Sequence, residues 1–455
     1  MSEYKENKMG TMAIKPLVVS MSFPIMISML VQALYNIIDS YFIGQYDPNY
    51  GVAALTVAFP LQTLMIAFGS GTGVGFNAIL SRSLGEKNPQ KAGASANTGI
   101  LLNLINYLIF LILSITVTSA FVHGQTSQAQ TIAYAENYLH IVLGLSAGLF
   151  LQMTFERMLQ ATGRSHLSMI SQITGALVNT ILDYMMIFGH GPFSKMGVAG
   201  AAYATVIGQF VAAAVGLSLN LYFCREFRLS LARVFRPQAA MVREIYYVGI
   251  PTVAMMAVGS VMSWGMNLIL GHAAGDNGLT IFGIYFKLQS FFFMPVFGLN
   301  NGIIPILAYN YGARRKNRIK QTLRFGIMLA AVIMVTGTLV FWIFPNGLLK
   351  LFNASPQVTA MGIVALRIIS IHFPLAAVGI LFGGIFQAFA KSTYSLVVSL
   401  GRQMFVLLPV AWFLSLFGNV NIIWFCFIIA EGVSLALSII FYRKVRCEMI
   451  EPLRE

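Results

Sequence analysis

Residues 15–44 read KPLVVSMSFPIMISMLVQALYNIIDSYFIG, a stretch in which Lys15 and Asp39 carry the only charges. A helix crosses the hydrocarbon core of a bilayer with about 20 apolar residues, so this run is long enough to span it. The rest of the chain agrees: of 455 residues 57% are hydrophobic and 10% charged, against about 25% charged in a soluble domain, and mean hydropathy is +0.75. Apolar runs bounded by polar residues predict twelve helices, over approximately 15–44, 51–79, 94–121, 133–157, 166–189, 196–223, 246–272, 279–311, 322–345, 358–389, 393–417 and 420–442. The class that follows is an all-α integral membrane protein with twelve transmembrane helices. This composition excludes a soluble enzyme, a disordered chain and collagen. Three Cys are too few for a disulfide scaffold, and strand alternation, the signature of a barrel, is absent. The opening MSEYKENK is polar and the run behind it is too long for a signal sequence, so removal of a targeting peptide is not expected.

The formal net charge is +14, and in a membrane chain its location gives it meaning. The N-terminal tail, the even-numbered loops and the C-terminal tail hold 24 of the 29 Lys and Arg, whereas the odd-numbered loops hold only Lys195 and Lys350. Positive charge collects on the cytoplasmic side. Both termini are therefore expected in the cytoplasm, the chain being a multi-pass protein of the plasma (cytoplasmic) membrane. The basic charge reports topology and implies no nucleic acid. Its densest clusters, Arg225 to Arg243 and Arg314 to Lys320, suit the anionic headgroups of membrane lipids.

An internal repeat organises the chain. A shift of 227 residues, without a gap, lays Pro24 on Pro251, Gly44 on Gly271, Leu61-Gln62 on Leu288-Gln289, Gly71 and Gly75 on Gly298 and Gly302, and Gln160-Ala161 on Gln387-Ala388. Six spans per repeat give the two halves the same topology, related by a pseudo-twofold axis along the membrane normal. The expected organisation is an N-lobe over residues 1–223 (spans 1–6), a cytoplasmic linker over 224–245, and a C-lobe over 246–455 (spans 7–12 and a cytoplasmic tail). Two six-helix lobes around a cleft are the architecture of alternating access, although duplicated bundles without transport also exist.

Chemistry in such a chain comes from polar groups at membrane depth, each costing about 2.5–3.5 kcal/mol at a span centre. Four acids qualify: Asp39, Glu156, Asp183 and Glu431. Asp39 and Asp183 both lie about 8–10 Å below the outer ends of their spans at helical rise. Asn179 shares a helical face with Asp183, Asn36 stands three residues from Asp39, and Thr205 descends to a similar level. No Lys or Arg lies at that depth in spans 1–6. The carboxylates are therefore neutralised by protons or by a dehydrated Na⁺ held among oxygen ligands, or else they hold helices together or pair across the cleft with Lys287. Arg402 and Glu431 fall at similar depth in spans 11 and 12 and read as a structural pair. Glu156, next to Arg157, reads as a snorkelling or gating contact.

Gln62 and Gln289, equivalent in the repeat, are expected to face one cavity, with Asn36, Phe286 and Met294 among the residues of the substrate cleft. Phe291, Phe292 and Phe293 would add stacking and cation–π contacts. The run from Gly69 to Gly75 lacks the Lys-Ser/Thr ending of a phosphate loop and lies in an apolar span, so close helix packing accounts for it. No catalytic constellation and no metal-ligand spacing among His and Cys is visible. Asn353-Ala-Ser355 is a formal glycosylation sequon without further support.

Tyr35-Asn-Ile-Ile-Asp39 with its Phe-Ile-Gly44 ending, Gln160-Ala-Thr-Gly163, Asn179-Thr-Ile-Leu-Asp183 and Gly200-Ala-Ala-Tyr-Ala-Thr205, set in a duplicated twelve-span topology, resemble the multidrug and toxic compound extrusion (MATE) family over essentially the whole chain. The bacterial MepA-like branch is the most similar. The resemblance implies secondary active efflux of cationic or amphipathic compounds in exchange for H⁺ or Na⁺, with Asp39, Asn179, Asp183 and Thr205 matching the cation site of the family's N-lobe. Some members carry acids in the second lobe, where this chain has Gly259 and no acid in span 10. The expected protein is thus a bacterial multidrug antiporter and not an enzyme. It would act as a monomer, without a cofactor beyond the coupling ion, and its partners would be small-molecule substrates and membrane lipids. The alternative is a flippase for a lipid-linked saccharide, or a dedicated metabolite exporter of the same fold. A pyrophosphate cargo would call for several cations along the cleft, and within spans, away from their cytoplasmic ends, only Lys287, Arg367 and Arg402 are available.

Overall fold

A computed structural model describes residues 7–352 and 354–453. Asn353 of the sequon, and Lys5 and Arg454 of the basic tails, lie outside the described residues. Helices follow one another throughout. A short α1 (Lys8–Thr11) precedes α2 (Ile14–Tyr46), α3 (Gly51–Gly85), α4 (Pro89–Thr116) and a short α5 (Thr118–His123). Next come α6 (Ala129–Gly144), α7 (Ala147–Ala161), α8 (Ser165–Phe188), α9 (Val198–Phe223) and the four-residue α10 (Leu231–Val234). The second half opens with the 74-residue α11 (Ala239–Gly312), then α12 (Lys316–Ile343), α13 (Pro345–Lys350), α14 (Pro356–Ser370) and α15 (Phe373–Ala388). It closes with α16 (Ser392–Leu400), a π-helical segment Gly401–Leu407, α17 (Leu408–Ser415), α18 (Val420–Ile423) and α19 (Phe425–Val445).

Among the described residues eight helices are long and apolar enough to cross a membrane, or ten when α6–α7 and α14–α15, bent by 47° and 45°, count as one span each. The expected twelve differ from this for two physical reasons. Ser168, Ser171, Gln172, Thr174, Asn179 and Asp183 make α8 too polar to qualify, and α11 counts once although it is broken. At Gly275 the backbone adopts φ 57° and ψ −148°, a conformation open to glycine and strained for other residues. The chain reverses there: Ile245 and Tyr309 both touch α3, at Gly75 and Gly85, whereas an unbroken helix would hold them about 96 Å apart.

Helix boundaries keep the 227-residue register. Pro89–Thr116 recurs as Lys316–Ile343, Thr118–His123 as Pro345–Lys350, and the start at Ser165 as Ser392. The two bends also correspond, one at Leu145 and the other at His372. Each is capped by a side chain folding back on the preceding turn, with Ser146 Oγ donating to Leu143 O at 2.7 Å and His372 Nδ1 lying 2.6 Å from Ile369 O. The halves meet through glycines. Gly71 of α3 lies on Gly249 of α11, while Gly298 and Gly302 of the same α11 lie on Met26 and Ser22 of α2. The glycine run is therefore a helix seam, as its apolar setting suggests.

At one end of this seam the halves are also tied by the start of the chain. Asn7 Nδ2 donates to Thr162 O at 2.8 Å in the first half. Asn310 Nδ2 of the second half donates to Met9 O at 3.1 Å, Arg318 donates to Met9 O and Met12 O, and Arg315 donates to Gly10 O. Gly85 against Tyr309 and Gly312 against Arg82 close the same end.

Candidate functional site

Between the halves lie three adjoining cavities, and Met256 lines all of them. The smallest, about 200 Å³, is sunk in the first half, and many of its wall residues carry an amide or a hydroxyl. Asn179 and Thr205 line it, with Asn179 Nδ2 donating to Thr205 Oγ1 at 3.3 Å across the α8–α9 contact. That contact is close because Gly175 and Gly208 face each other, each carbonyl within 2.7–2.8 Å of where the other's Cβ would stand.

Beside this chamber Asp39 of α2 and Asp183 of α8 bring their carboxyl groups into contact. Asp183 is fully buried and Asp39 is 8% exposed. Asp39 Oδ1, both Asp183 oxygens and Asn179 Oδ1 are buried without a hydrogen-bond donor among the described residues. Two ionised carboxylates offer only acceptors, so the contact becomes a hydrogen bond when one carries a proton. Lys287 takes no part: its Nζ stands over the Phe352 ring, 5.9 Å from the centroid, which corrects the alternative of a pair across the cleft. Asn36 is exposed and lies outside the group.

One face of α7 completes the chamber and was only partly read from the sequence. Gln152, Glu156 and Gln160 follow at four-residue spacing and all line it. Gln152 Nε2 donates to Glu156 Oε1 at 2.9 Å, Arg157 Nη1 to Gln160 Oε1 at 3.2 Å, and Gln160 Nε2 to Ser168 Oγ at 3.0 Å. Tyr35, Gln32 and Gln172 add to the wall, Gln172 Nε2 donating to Gln32 Oε1 at 3.4 Å. The spacing of these glutamines inside apolar spans was the signal available.

In the second half Arg402 Nη1 donates to Glu431 Oε2 at 2.9 Å, and the pair borders two cavities of about 390 and 690 Å³. The larger is aromatic. Gln289, Phe286 and Met294 line it together with Phe293, whereas Phe292 turns away onto Phe341 and Phe291 is exposed. From α3 it takes Phe59, Pro60 and Thr63, while Gln62 instead lies beside Tyr138. The repeat equivalence of Gln62 and Gln289 therefore does not extend to a shared wall. Gly259, where a bulkier side chain would narrow the space, lines both cavities.

This arrangement of seamed halves, repeated bends and a polar chamber within long apolar helices superposes on solved MATE transporters. A MATE structure in complex with MaL6 superposes with a TM-score of 0.90 at 22% identity, covering 98% of this chain and 99% of that one. An outward-facing multidrug resistance MATE transporter of the MOP superfamily gives 0.91 at 22% identity, covering 98% of each chain. The chain belongs to the MatE family: the family model matches residues 24–185 and again 251–413, two segments that begin 227 residues apart. Among named relatives, the multidrug export protein MepA of Staphylococcus haemolyticus is 29% identical over 428 residues, covering 93% of this chain and 92% of that protein. MepA of Staphylococcus aureus is 28% identical over a similar span.

Proposed function

We propose that this protein is a secondary active multidrug exporter of the bacterial plasma membrane, which moves cationic or amphipathic compounds outward in exchange for H⁺ or Na⁺ by alternating access. The observation that carries the reading is the contact of Asp39 and Asp183, two carboxyls in an apolar bundle with no basic partner among the described residues, beside the Asn179–Thr205 chamber. Their unpaired oxygens suit a proton shared between the carboxyls or a hard cation. Either would discharge the site and let the surrounding helices repack. The names of the MepA relatives support the efflux reading.

The architecture proposed with it is twelve spans: α6–α7 and α14–α15 as one bent span each, α11 as two spans separated at Gly275, and the polar α8 as one more. These form an N-lobe over 1–223, a linker over 224–245 and a C-lobe over 246–455, with both termini cytoplasmic. In that orientation the end closed by Gly85, Gly312 and the Asn7–Met12 segment faces the cytoplasm. The test is flux of a cationic dye in proteoliposomes with H⁺ and Na⁺ gradients imposed separately. Transport driven by neither gradient would sink the antiport reading.

A further inference from the structure

Two arginines line the cavities: Arg157 donates to Gln160 inside the first-half chamber, and Arg402 is left unused by the coupling reading. Arg402 lines both second-half cavities, and its Nη1 alone is engaged, by Glu431; its Nε and Nη2 bond to none of the described residues. Its side chain is 30% exposed to the cavity, whereas that of Glu431 is 4% exposed. Glu431 thus holds the guanidinium from behind and leaves its outer edge free. That edge is a planar pair of N–H donors matched to a carboxylate.

The backbone supports the placement. Arg402 and Gln403 open the π-helical segment Gly401–Leu407, and both neighbours line both cavities. The wider turn of a π-helix brings consecutive side chains toward one side, and such segments concentrate at functional sites. In the first half the equivalent position is Gly175, packed on Gly208 to close α8 on α9. Each cavity carries one acid and one base, Glu156 with Arg157 in the first-half chamber and Glu431 with Arg402 in the aromatic cavity.

We propose that Arg402 is a specificity-determining residue of the aromatic cavity, which selects among aromatic substrates by binding the carboxylate of those that carry one. The inference rests on the efflux reading and names the residue that discriminates between its substrates. A simple anion would bury net charge beside the neutral Arg402–Glu431 pair. A zwitterion does not, and its cationic end can lie over Phe286 or Phe293, with Gln289 meeting neutral polar groups. A volume of about 690 Å³ suits a drug-sized ligand, for which pockets run to about 300–1,000 Å³.

Rhodamine 110 and its methyl ester, rhodamine 123, share one ring system and differ in that carboxylate, so they test the assignment directly. Their affinities are measured by fluorescence anisotropy on the full chain in nanodiscs without any gradient. The double variant Arg402→Leu/Glu431→Leu leaves no uncompensated charge. In it, the ratio of rhodamine 110 to rhodamine 123 affinity should fall about tenfold or more relative to the unaltered protein, while Arg402→Lys should keep part of the preference. An unchanged ratio, both dyes weakening together, or no binding of rhodamine 110 by the unaltered protein overturns the assignment. Gradient-driven efflux of rhodamine 123 is scored separately: its absence would count against the exporter reading, while the affinity ratio still decides the role of Arg402.

Discussion

Gly71 and Gly249 meet through bare backbone: a Cβ on Gly71 would stand 2.7 Å from the Gly249 carbonyl oxygen, and one on Gly249 would stand 2.9 Å from that of Gly71. Gly71 also meets Val253, and the register of 227 carries that contact to Gly298, whose Cβ would lie 2.7 Å from the Cα of Met26. A pseudo-twofold axis through the seam is the simplest geometry that produces both. Sliding or rocking of one half on the other is easiest where no side chains interlock, which places the moving surface along these glycines.

Gly71→Val should therefore destabilise the protein by about 1–3 kcal/mol, the usual cost of overpacking a tight contact, because the Val253 methyl and, behind it, the Gly249 carbonyl stand in the way and the carbonyl cannot rotate aside. Thermal unfolding in detergent measures it. An unchanged midpoint would mean the halves separate freely at this point.

Asp39→Asn and Asp183→Asn should each reduce gradient-driven efflux to background while the protein still inserts and folds. Each amide removes a buried charge that lacks a basic partner, so folding has no ion pair to lose. Proteoliposome flux beside size-exclusion profiles separates the two effects, and flux at the unaltered rate in both variants would refute the coupling role.

Of the Arg402–Glu431 pair, Arg402→Leu should cost more stability than Glu431→Leu. The first strands a carboxylate whose side chain is 4% exposed, the second an arginine that is 30% exposed and keeps contact with cavity water. The double replacement should be milder than Arg402→Leu alone. Equal losses for all three variants would show that the two side chains do not interact energetically.

Cysteines at positions 62 and 289 should behave differently, in a background where the exposed Cys447 is replaced and the buried Cys224 and Cys426 are kept. Position 289 lines the aromatic cavity and should react with a water-soluble thiol reagent and be protected by substrate. Position 62 points at Tyr138 and should react slowly. The reverse order would contradict the arrangement of the cleft.

Lys316, Lys320 and Arg446 hydrogen-bond the Glu451 carboxyl and hold it well below the ordinary glutamate value of 4.5. A depressed pKa contributes stability that is present above the unfolded value and is lost as pH falls through the folded one. Docking of the tail on α12 should consequently persist from pH 7 through pH 5 and weaken only in stronger acid. Hydrogen exchange of residues 446–453 reads this out: Glu451→Gln should raise exchange at pH 7, and a rise in the unaltered protein between pH 7 and pH 5 would contradict it.

The sequence alone determined the class and the repeat, because both rest on local, additive quantities. Runs such as 15–44 must be helices wherever lipid replaces water, since each backbone polar group then needs a partner within its own segment. The register of 227 follows from residue identities, and the observed starts of α4 and α12 keep it. It also singled out Asp39 and Asp183, because an acid in an apolar run is costly wherever it points, and added Asn179 and Thr205 by helical face, depth and the family resemblance. What a side chain faces was decided by tertiary structure. The run 286–294 covers more than one helical turn, so periodicity could not say that Phe293 faces the cavity and Phe292 packs on Phe341. Likewise Gln62 and Gln289 are equivalent in sequence yet meet different neighbours, and the contact of Asp39 with Asp183 depends on how α2 packs against α8. Burial cost is a property of one residue, whereas direction and partnership belong to pairs of helices, and only the packed bundle specifies those pairs.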